Sequence, residues 1–245
     1  APHNMAYFFM HLEALRIYWE TASNGQLTFQ FDVYPLDDTA SYKLNHPMKY
    51  YGSKPPLEGL TLFFTESWAK ADTLTPFIDF SQYDAFIIFH AGSDRQSDLD
   101  ISPTPTPNDL FTAFIIPETS VVVDNGTIAI KEGLIIPETV SQDGRIRALN
   151  GVLAHEFGHQ LGLPDLYNTG TFTTQIGDFS LMDNNAADVG VDLGFRAPAF
   201  GVLPVFPDAW SKAYLGFTKP MEIVSQKNIK LMSTEMLRNG IQTVK

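Results

Sequence analysis

Residues 155–165 read HEFGHQLGLPD. They close a segment whose apolar residues recur at helical spacing, namely Ile146, Leu149, Val152, Leu153, Phe157 and Leu161. His155 and His159 lie four residues apart, so one helical turn sets both imidazoles on the same face. This spacing predicts two ligands of one tetrahedral metal ion.

Two acidic residues complete the predicted centre. Glu156 follows the first histidine and points to a neighbouring part of the same face, where it can act as general base without binding the metal. Gly162 ends the helix and Pro164 prevents its resumption, so the chain turns back and brings Asp165 near the histidines as the third ligand. Three protein ligands leave the fourth position to water, as in catalytic zinc sites.

The alternative is two histidines packed in a helix, with Glu156 as a surface charge. The chain has 6 His, 28 acidic residues and 17 Gly in 245. With that composition the whole constellation arises by chance roughly once in ten thousand sequences. The metal site is therefore the favoured interpretation. The other four histidines have no second ligand at metal spacing and are predicted to be structural or solvated. They are His3, His11, His46 and His90.

Composition limits the classes of partner. Apolar residues make up 44% of the chain and charged residues 18%, which predicts one globular domain over residues 1–245. The formal net charge is -12 without a basic cluster, and no apolar run approaches about 20 residues, so neither nucleic acid binding nor membrane insertion is expected. Calcium sites built from Asp and Asn, for example in the polar loop 93–109, are a second use of the acidic excess.

The rest of the chain predicts alternating helices and strands. Helices are expected at residues 6–23, 57–71, 146–161 and 207–215. Strands are expected at residues 27–33 and 83–90, and a hairpin at 121–123 and 127–130 around Asp124-Asn125-Gly126. Tyr50 to Gly52 is interpreted as loop. Cysteine is absent, so any metal must be bound by His and carboxylate.

The segment His155 to Tyr167, HEFGHQLGLPDLY, resembles the zinc signature of the immune inhibitor A type of metallopeptidases, a branch near the metzincins in which Asp replaces the third His. Further segments resemble that family in the same order, namely YWETASNGQL, YDAFIIFHAG, SLMDNN and DAWSKAYLGF. The resemblance covers residues 6–220. Residues 221–245 are expected to begin a further segment or to form a trimmed end.

The resemblance implies an α+β, zincin-like (metzincin-like) domain with a mixed, twisted sheet backed by helices that include the zinc-binding one. An edge around residues 127–136 is expected to pair with an extended substrate. Met182 is expected to pack in the turn beneath the metal. Asn184 stands where some metzincins carry Tyr, so the group that stabilises the oxyanion stays open, with Tyr167 and Tyr214 as candidates or as ordinary rim aromatics.

The function implied is a monomeric zinc endopeptidase with one catalytic zinc ion, secreted or extracellular, usually made behind a propeptide and sometimes with further C-terminal domains. One alternative is an inactive peptidase-like module for binding or adhesion. The intact Glu156 argues against it, because a structural metal site has no use for a carboxylate beside an open position. Another alternative is a zinc hydrolase of a non-peptide amide or sugar-linked substrate.

Overall fold

The computed structural model describes residues 3–37, 41–98, 105–183, 190–194, 198–225, 228–232 and 243. The chain divides into two compact units. One comprises Ala1–Phe9 and Asp32–Leu149, and the other comprises Met10–Phe31 and Asn150–Lys245. Both helices and strands are present, in line with an α+β class.

Apolar spacing predicts four of the five described helices to within a few residues. The five are α1 (Met5–Ala22), α2 (Met48–Gly52), α3 (Pro56–Leu74), α4 (Asn150–Gln160) and α5 (Ala209–Tyr214). Helix α1 buries Leu12, Leu15 and Trp19 at intervals of three and four residues. It ends at Ala22, and Asn24 and Gly25 in the turn that follows both have positive φ.

The first unit contains a mixed three-stranded sheet. Its strands are β1 (Ile87–His90), β2 (Ala113–Ile115) and β5 (Gly133–Pro137), in the order β1-β5-β2. Strand β5 pairs with β1 in parallel and with β2 antiparallel, and all five of its residues are buried. The prediction that an edge around residues 127–136 pairs with an extended substrate is therefore wrong for β5, because both edges of this strand are already paired.

The predicted hairpin is confirmed. Strands β3 (Val121–Val123) and β4 (Ile128–Ile130) pair antiparallel, with Val123 opposite Ile128. A short 3₁₀ turn, Asp124–Gly126, joins them, and its three residues all have positive φ. Asp, Asn and Gly tolerate this conformation better than other residues, so the local sequence selects the turn.

Three local predictions are wrong. Residues 27–33 alternate between partly buried and exposed but form no strand, because neither sheet of the described residues supplies a partner. Tyr50 to Gly52 belongs to the one-turn helix α2, in which Tyr51 is buried. Helix α4 begins at Asn150 and not near residue 146, because Ser141 bonds the backbone of Arg147 and closes the preceding residues into a turn.

Each unit has its own apolar core. In the first, Phe64, Phe80 and Ile135 belong to one buried cluster. Gly133 in β5 is required there, since a Cβ would lie 2.9 Å from the ring of Phe64. In the second, Trp19 is fully buried and packs against Phe157 of α4. None of the described helices is long and apolar enough to cross a membrane.

Candidate metal centre

Helix α4 carries the two histidines as their spacing predicts. The rings of His155 and His159 are nearly perpendicular, with centroids 4.9 Å apart. The side chains are 11% and 16% exposed. Gly158, between them, packs so closely on the second unit's core that a Cβ would lie 2.6 Å from Sδ of Met182. The helix is thus seated directly on Met182.

One backbone carbonyl orients each imidazole. Nδ1 of His155 lies 2.8 Å from the carbonyl oxygen of Leu181, and Nδ1 of His159 lies 2.8 Å from that of Leu163. A carbonyl oxygen only accepts, so each Nδ1 carries the proton and donates it. In the neutral ring the lone pair is then on Nε2, which is how histidines are prepared for metal binding.

Asp165 reaches the same point from the turn after α4. Gly162 has φ +95°, and the amide of Leu163 donates to Gly158 O at 3.0 Å, which closes the helix end. The Asp165 Oδ1 atom then lies 3.2 Å from Nε2 of His155 and 3.3 Å from Nε2 of His159. The predicted turn and the predicted approach of Asp165 are both observed.

These three side chains fit a metal ion. One donor atom from each lies within 4.8 Å of the other two. In the neutral-imidazole state all three are electron-pair donors, and such atoms converge favourably only around a proton or a cation. The donor set of two imidazoles and one carboxylate is one that zinc accepts. It is the one group of three or more potential ligands found among the described residues.

The pKa values show the same attraction for a cation. Burial alone would raise the pKa of Asp165, but the hydrogen bonds that Nε2 of His155 and of His159 donates when it carries a proton hold it well below its usual range. Burial alone would lower the pKa of His159, but its hydrogen bond to Asp165 and the charge of Glu156 raise it above the ordinary value. Negative charge therefore accumulates at this point and favours a bound cation.

Glu156 is buried beside the cluster, with 8% of its surface exposed. Its charge raises the pKa of both His159 and Tyr167, which indicates that its carboxylate lies near both. A carboxylate is seldom buried unless it is paired or has a chemical task. Its position suits a general base adjacent to the cluster.

The turn Ser180 to Asp183 supplies two backbone carbonyls that stabilise the centre. It supplies the Leu181 carbonyl, and the Met182 carbonyl accepts from the amide of Leu166 at 2.8 Å. Met182 itself is fully buried, in agreement with the predicted packing role. The same turn thus fixes one imidazole and the segment that carries Asp165.

The two tyrosines considered for stabilising an oxyanion, Tyr167 and Tyr214, differ in whether they contact a residue of the centre. The Tyr167 ring stacks on His155 at 6.5 Å between centroids. Burial, together with the charge and hydrogen bonding of Asp165, raises the Tyr167 pKa to about 12. Tyr214 instead is 60% exposed and stacks on Trp210. Asn184 lies outside the described residues.

The remaining histidines have other surroundings, as predicted. His3 contacts Glu138, His11 lies 2.8 Å from Asn150 Oδ1, His46 stacks on Tyr50, and His90 is buried in β1. The polar loop 93–109 forms no helix or strand in its described part, residues 93–98 and 105–109. No calcium-like cluster is found among those described residues.

Sequence reasoning missed two parts of the centre. The Leu181 carbonyl carries no side-chain signal, so it could not be found from residue types. Asp183 is fully buried, and one of its oxygens accepts from three consecutive backbone amides. An acidic residue directly after Leu181 and Met182 in SLMDNN was the available sign of a buried carboxylate.

A comparison with protein families gives one match. The family model of the immune inhibitor A peptidase M6 catalytic domain matches residues 81–216, more than half of the chain. The matched range contains all of α4, the turn with Asp165, and the turn Ser180 to Asp183. A search of curated proteins found no match.

Proposed function

We propose that this chain, which belongs to the immune inhibitor A peptidase M6 family, is an endopeptidase that depends on one zinc ion held by His155, His159 and Asp165. Membership of the family makes it a peptidase with protein or peptide substrates. The observation that carries the zinc proposal is the convergence of two Nε2 atoms on Asp165 Oδ1, with both Nδ1 atoms bound to backbone carbonyls.

The donor set favours zinc over harder cations. Two imidazole nitrogens with one carboxylate match catalytic zinc sites, whereas calcium and magnesium prefer all-oxygen sets. Zinc bound by two neutral imidazoles and one carboxylate would leave a net charge of about +1 on the centre. A bound zinc ion supplies Lewis-acid polarisation of the scissile carbonyl and acidifies water.

Glu156 is the proposed proton carrier. Its carboxylate takes a proton from the attacking water as the new carbon–oxygen bond forms, and delivers that proton to the amine nitrogen as the carbon–nitrogen bond breaks. Hydrolysis then requires no covalent intermediate with the protein. The burial of Glu156 strengthens its interaction with the developing charges, because few waters screen it.

Three wider proposals accompany the mechanism. The two units form one zincin-like catalytic domain over residues 1–245, since the matched range 81–216 takes residues from both. The protein acts outside the cell as a monomer, as its family resemblance implies.

The experiment combines metal analysis with mapping of cleavage products. The purified protein is analysed for zinc, and a mixed peptide library is digested with and without a chelator while cuts are mapped by mass spectrometry. We expect one zinc per chain and cleavage that the chelator abolishes and added zinc restores. Zinc binding without any turnover would support the binding-module alternative, and turnover of small amides alone would support the other hydrolase.

Glu156→Gln tests the base within the same assay. We expect this variant to bind zinc at full stoichiometry and to lose about 10²–10⁴-fold in kcat, the usual contribution of a general base. His46→Ala is the matched control, because His46 is exposed and stacks on Tyr50 in the other unit. Full activity in Glu156→Gln would contradict the assignment.

A further inference from the structure

Phe172 has an unusual backbone conformation. Five described residues other than glycine have positive φ, and four of them are Asn or Asp, which tolerate it. The fifth is Phe172, with φ 56°. A bulky side chain in this region is an outlier, because its Cβ crowds the following carbonyl. The local backbone would be better served by Gly or Asn.

The turn that contains Phe172 is closed by well-defined hydrogen bonds. The Asn168 amide donates to Thr173 O at 3.0 Å, and the Phe172 amide donates to Asn168 O at 2.6 Å. Asn168 Oδ1 accepts from the amides of Gly170 and Thr171. These bonds hold the Phe172 backbone in place without any help from its ring.

Burial does not account for the phenyl ring either. Phe172 is 64% exposed, so its side chain contributes little to an apolar core. A single exposed apolar residue is ordinary on a protein surface. An exposed ring on an unfavourable backbone is less ordinary, and such local conflicts concentrate at functional positions.

The ring is continuous with the metal centre. Phe172 stacks on Tyr167 with centroids 6.2 Å apart and planes at 27°, and Tyr167 stacks in turn on His155 at 6.5 Å and 28°. The three rings form a row, here called the aromatic row, that runs from a proposed zinc ligand to an exposed face. A side chain of a substrate bound at the metal would find this apolar face within reach.

We propose that Phe172 is a specificity-determining residue that receives a large apolar side chain, aromatic by preference, from the peptide substrate beside the scissile bond. This inference rests on the proposed peptidase function. The physical basis is that offset stacking and apolar burial favour an aromatic partner over a small or charged one. The remaining exposed face of Phe172 is the part of the aromatic row that offers this contact.

The test compares variants by their substrate preference. Library mapping of wild-type cuts first finds the substrate position at which large apolar residues are enriched. Two peptides that differ only by Phe or Ala at that position are then compared by kcat/KM. We expect Phe172→Asn, which removes the ring and suits positive φ, to lower the Phe-to-Ala ratio about tenfold. Phe172→Tyr should retain the ratio.

Two further measurements separate a binding role from a structural one. The control Phe179→Ala removes a ring that is 83% exposed in the same segment, and it should leave the ratio unchanged. The Tm of Phe172→Asn should equal or exceed that of the wild type, because Asn suits the backbone better and little packing is lost. A structural residue would give a lower Tm and a similar fall in kcat/KM for both peptides, which would overturn the inference.

Failure of the inference and of the proposed function can be told apart. If the zinc-loaded wild type cleaves no peptide, the peptidase proposal fails and the inference fails with it. If the wild type cleaves but shows no apolar enrichment at any position, or if Phe172→Asn keeps the same preference, only the inference is overturned.

Discussion

Asp165 and Asp183 are two acidic residues of the same unit with opposite surroundings. Asp183 is fully buried, and its Oδ2 accepts from the amides of three consecutive residues at 2.5 to 2.9 Å: Gln175, Ile176 and Gly177. Asp165 is partly exposed, and its Oδ1 faces two imidazole nitrogens whose protons are on the opposite side of the ring.

The difference shows how surroundings separate a structural carboxylate from a ligand. An oxygen that receives several N–H groups is satisfied and stabilises the loop that supplies them. An oxygen that faces the lone pairs of neutral imidazoles is satisfied only when a cation lies between them. The predictions below test this contrast, beginning with the variant of largest expected effect.

Asp165→Ala should remove zinc with little change in the fold. We expect the zinc affinity to fall by more than about 100-fold, the upper end of what the loss of a supporting group alone costs, and peptide cleavage to fall with it. The affinity is measured by competition with a chromogenic chelator. Metal-free wild type and variant should unfold at similar urea concentrations. Unchanged zinc affinity would contradict the role of Asp165.

Asp183→Ala should lower the stability of the fold more than it lowers the zinc affinity. Three backbone amides lose their buried acceptor, each at a cost of about 1–3 kcal/mol before water replaces part of it, so we expect a loss of about 3 kcal/mol in the free energy of unfolding. The measurement is urea denaturation of the metal-free protein. Zinc affinity should fall less than in Asp165→Ala. A free energy of unfolding equal to that of the wild type would contradict the structural role of Asp183.

Gly158→Ala tests the contact between helix α4 and Met182 in the turn Ser180 to Asp183. The new Cβ would lie 2.6 Å from Met182 Sδ, so we expect a loss of about 1–2 kcal/mol in the free energy of unfolding despite the better helix propensity of Ala. Gly170→Ala is the control, because its Cβ would meet only Asn168 Oδ1 at 3.4 Å. Equal stability of the two variants would show that Met182 moves aside freely.

Asp208→Asn should have the smallest effect, and one that depends on pH. Asp208 caps α5 by accepting from the amides of Trp210 and Ser211, and it also accepts from Ser180 Oγ. Burial alone would raise its pKa, but the hydrogen bonds from Ser211 and Ser180 lower it below the ordinary value.

The sign of the Asp208 effect follows from this lowered pKa. The stabilisation is present above the unfolded-state pKa of about 3.9 and is lost as the pH falls below it. We expect Asp208→Asn to be about 1 kcal/mol less stable at pH 7, because an ionised acceptor forms the stronger hydrogen bonds, and we expect the difference to shrink towards pH 2. Denaturation curves from pH 2 to pH 7 measure this difference, and a constant difference would contradict the assignment.

The sequence predicted the metal centre more accurately than it predicted the strands. The spacing of His155 and His159 and the turn chemistry of Gly162 and Pro164 are local, and a helix end leaves few other paths for the chain. The alternation at residues 27–33 correctly gave the exposed side chains but not the absence of a strand, because pairing depends on a partner distant in sequence.

The groups that orient the proposed ligands also depend on parts of the chain that local sequence patterns do not reveal. The carbonyl of Leu181 and the amides bound by Asp183 are backbone atoms, and every residue type offers them. Their positions follow from the path of residues 168–183, which has little regular structure. Sequence patterns therefore identify the proposed ligands but not the atoms that orient them.

The central claim is that two Nε2 atoms and one Asp165 oxygen bind the same ion. Anomalous diffraction at the zinc edge, from crystals of the zinc-loaded protein, tests it most directly. We predict one strong peak per chain within bonding distance of His155 Nε2, His159 Nε2 and an Asp165 carboxylate oxygen. A peak bound by other residues, or no peak in protein supplied with stoichiometric zinc, would contradict the claim.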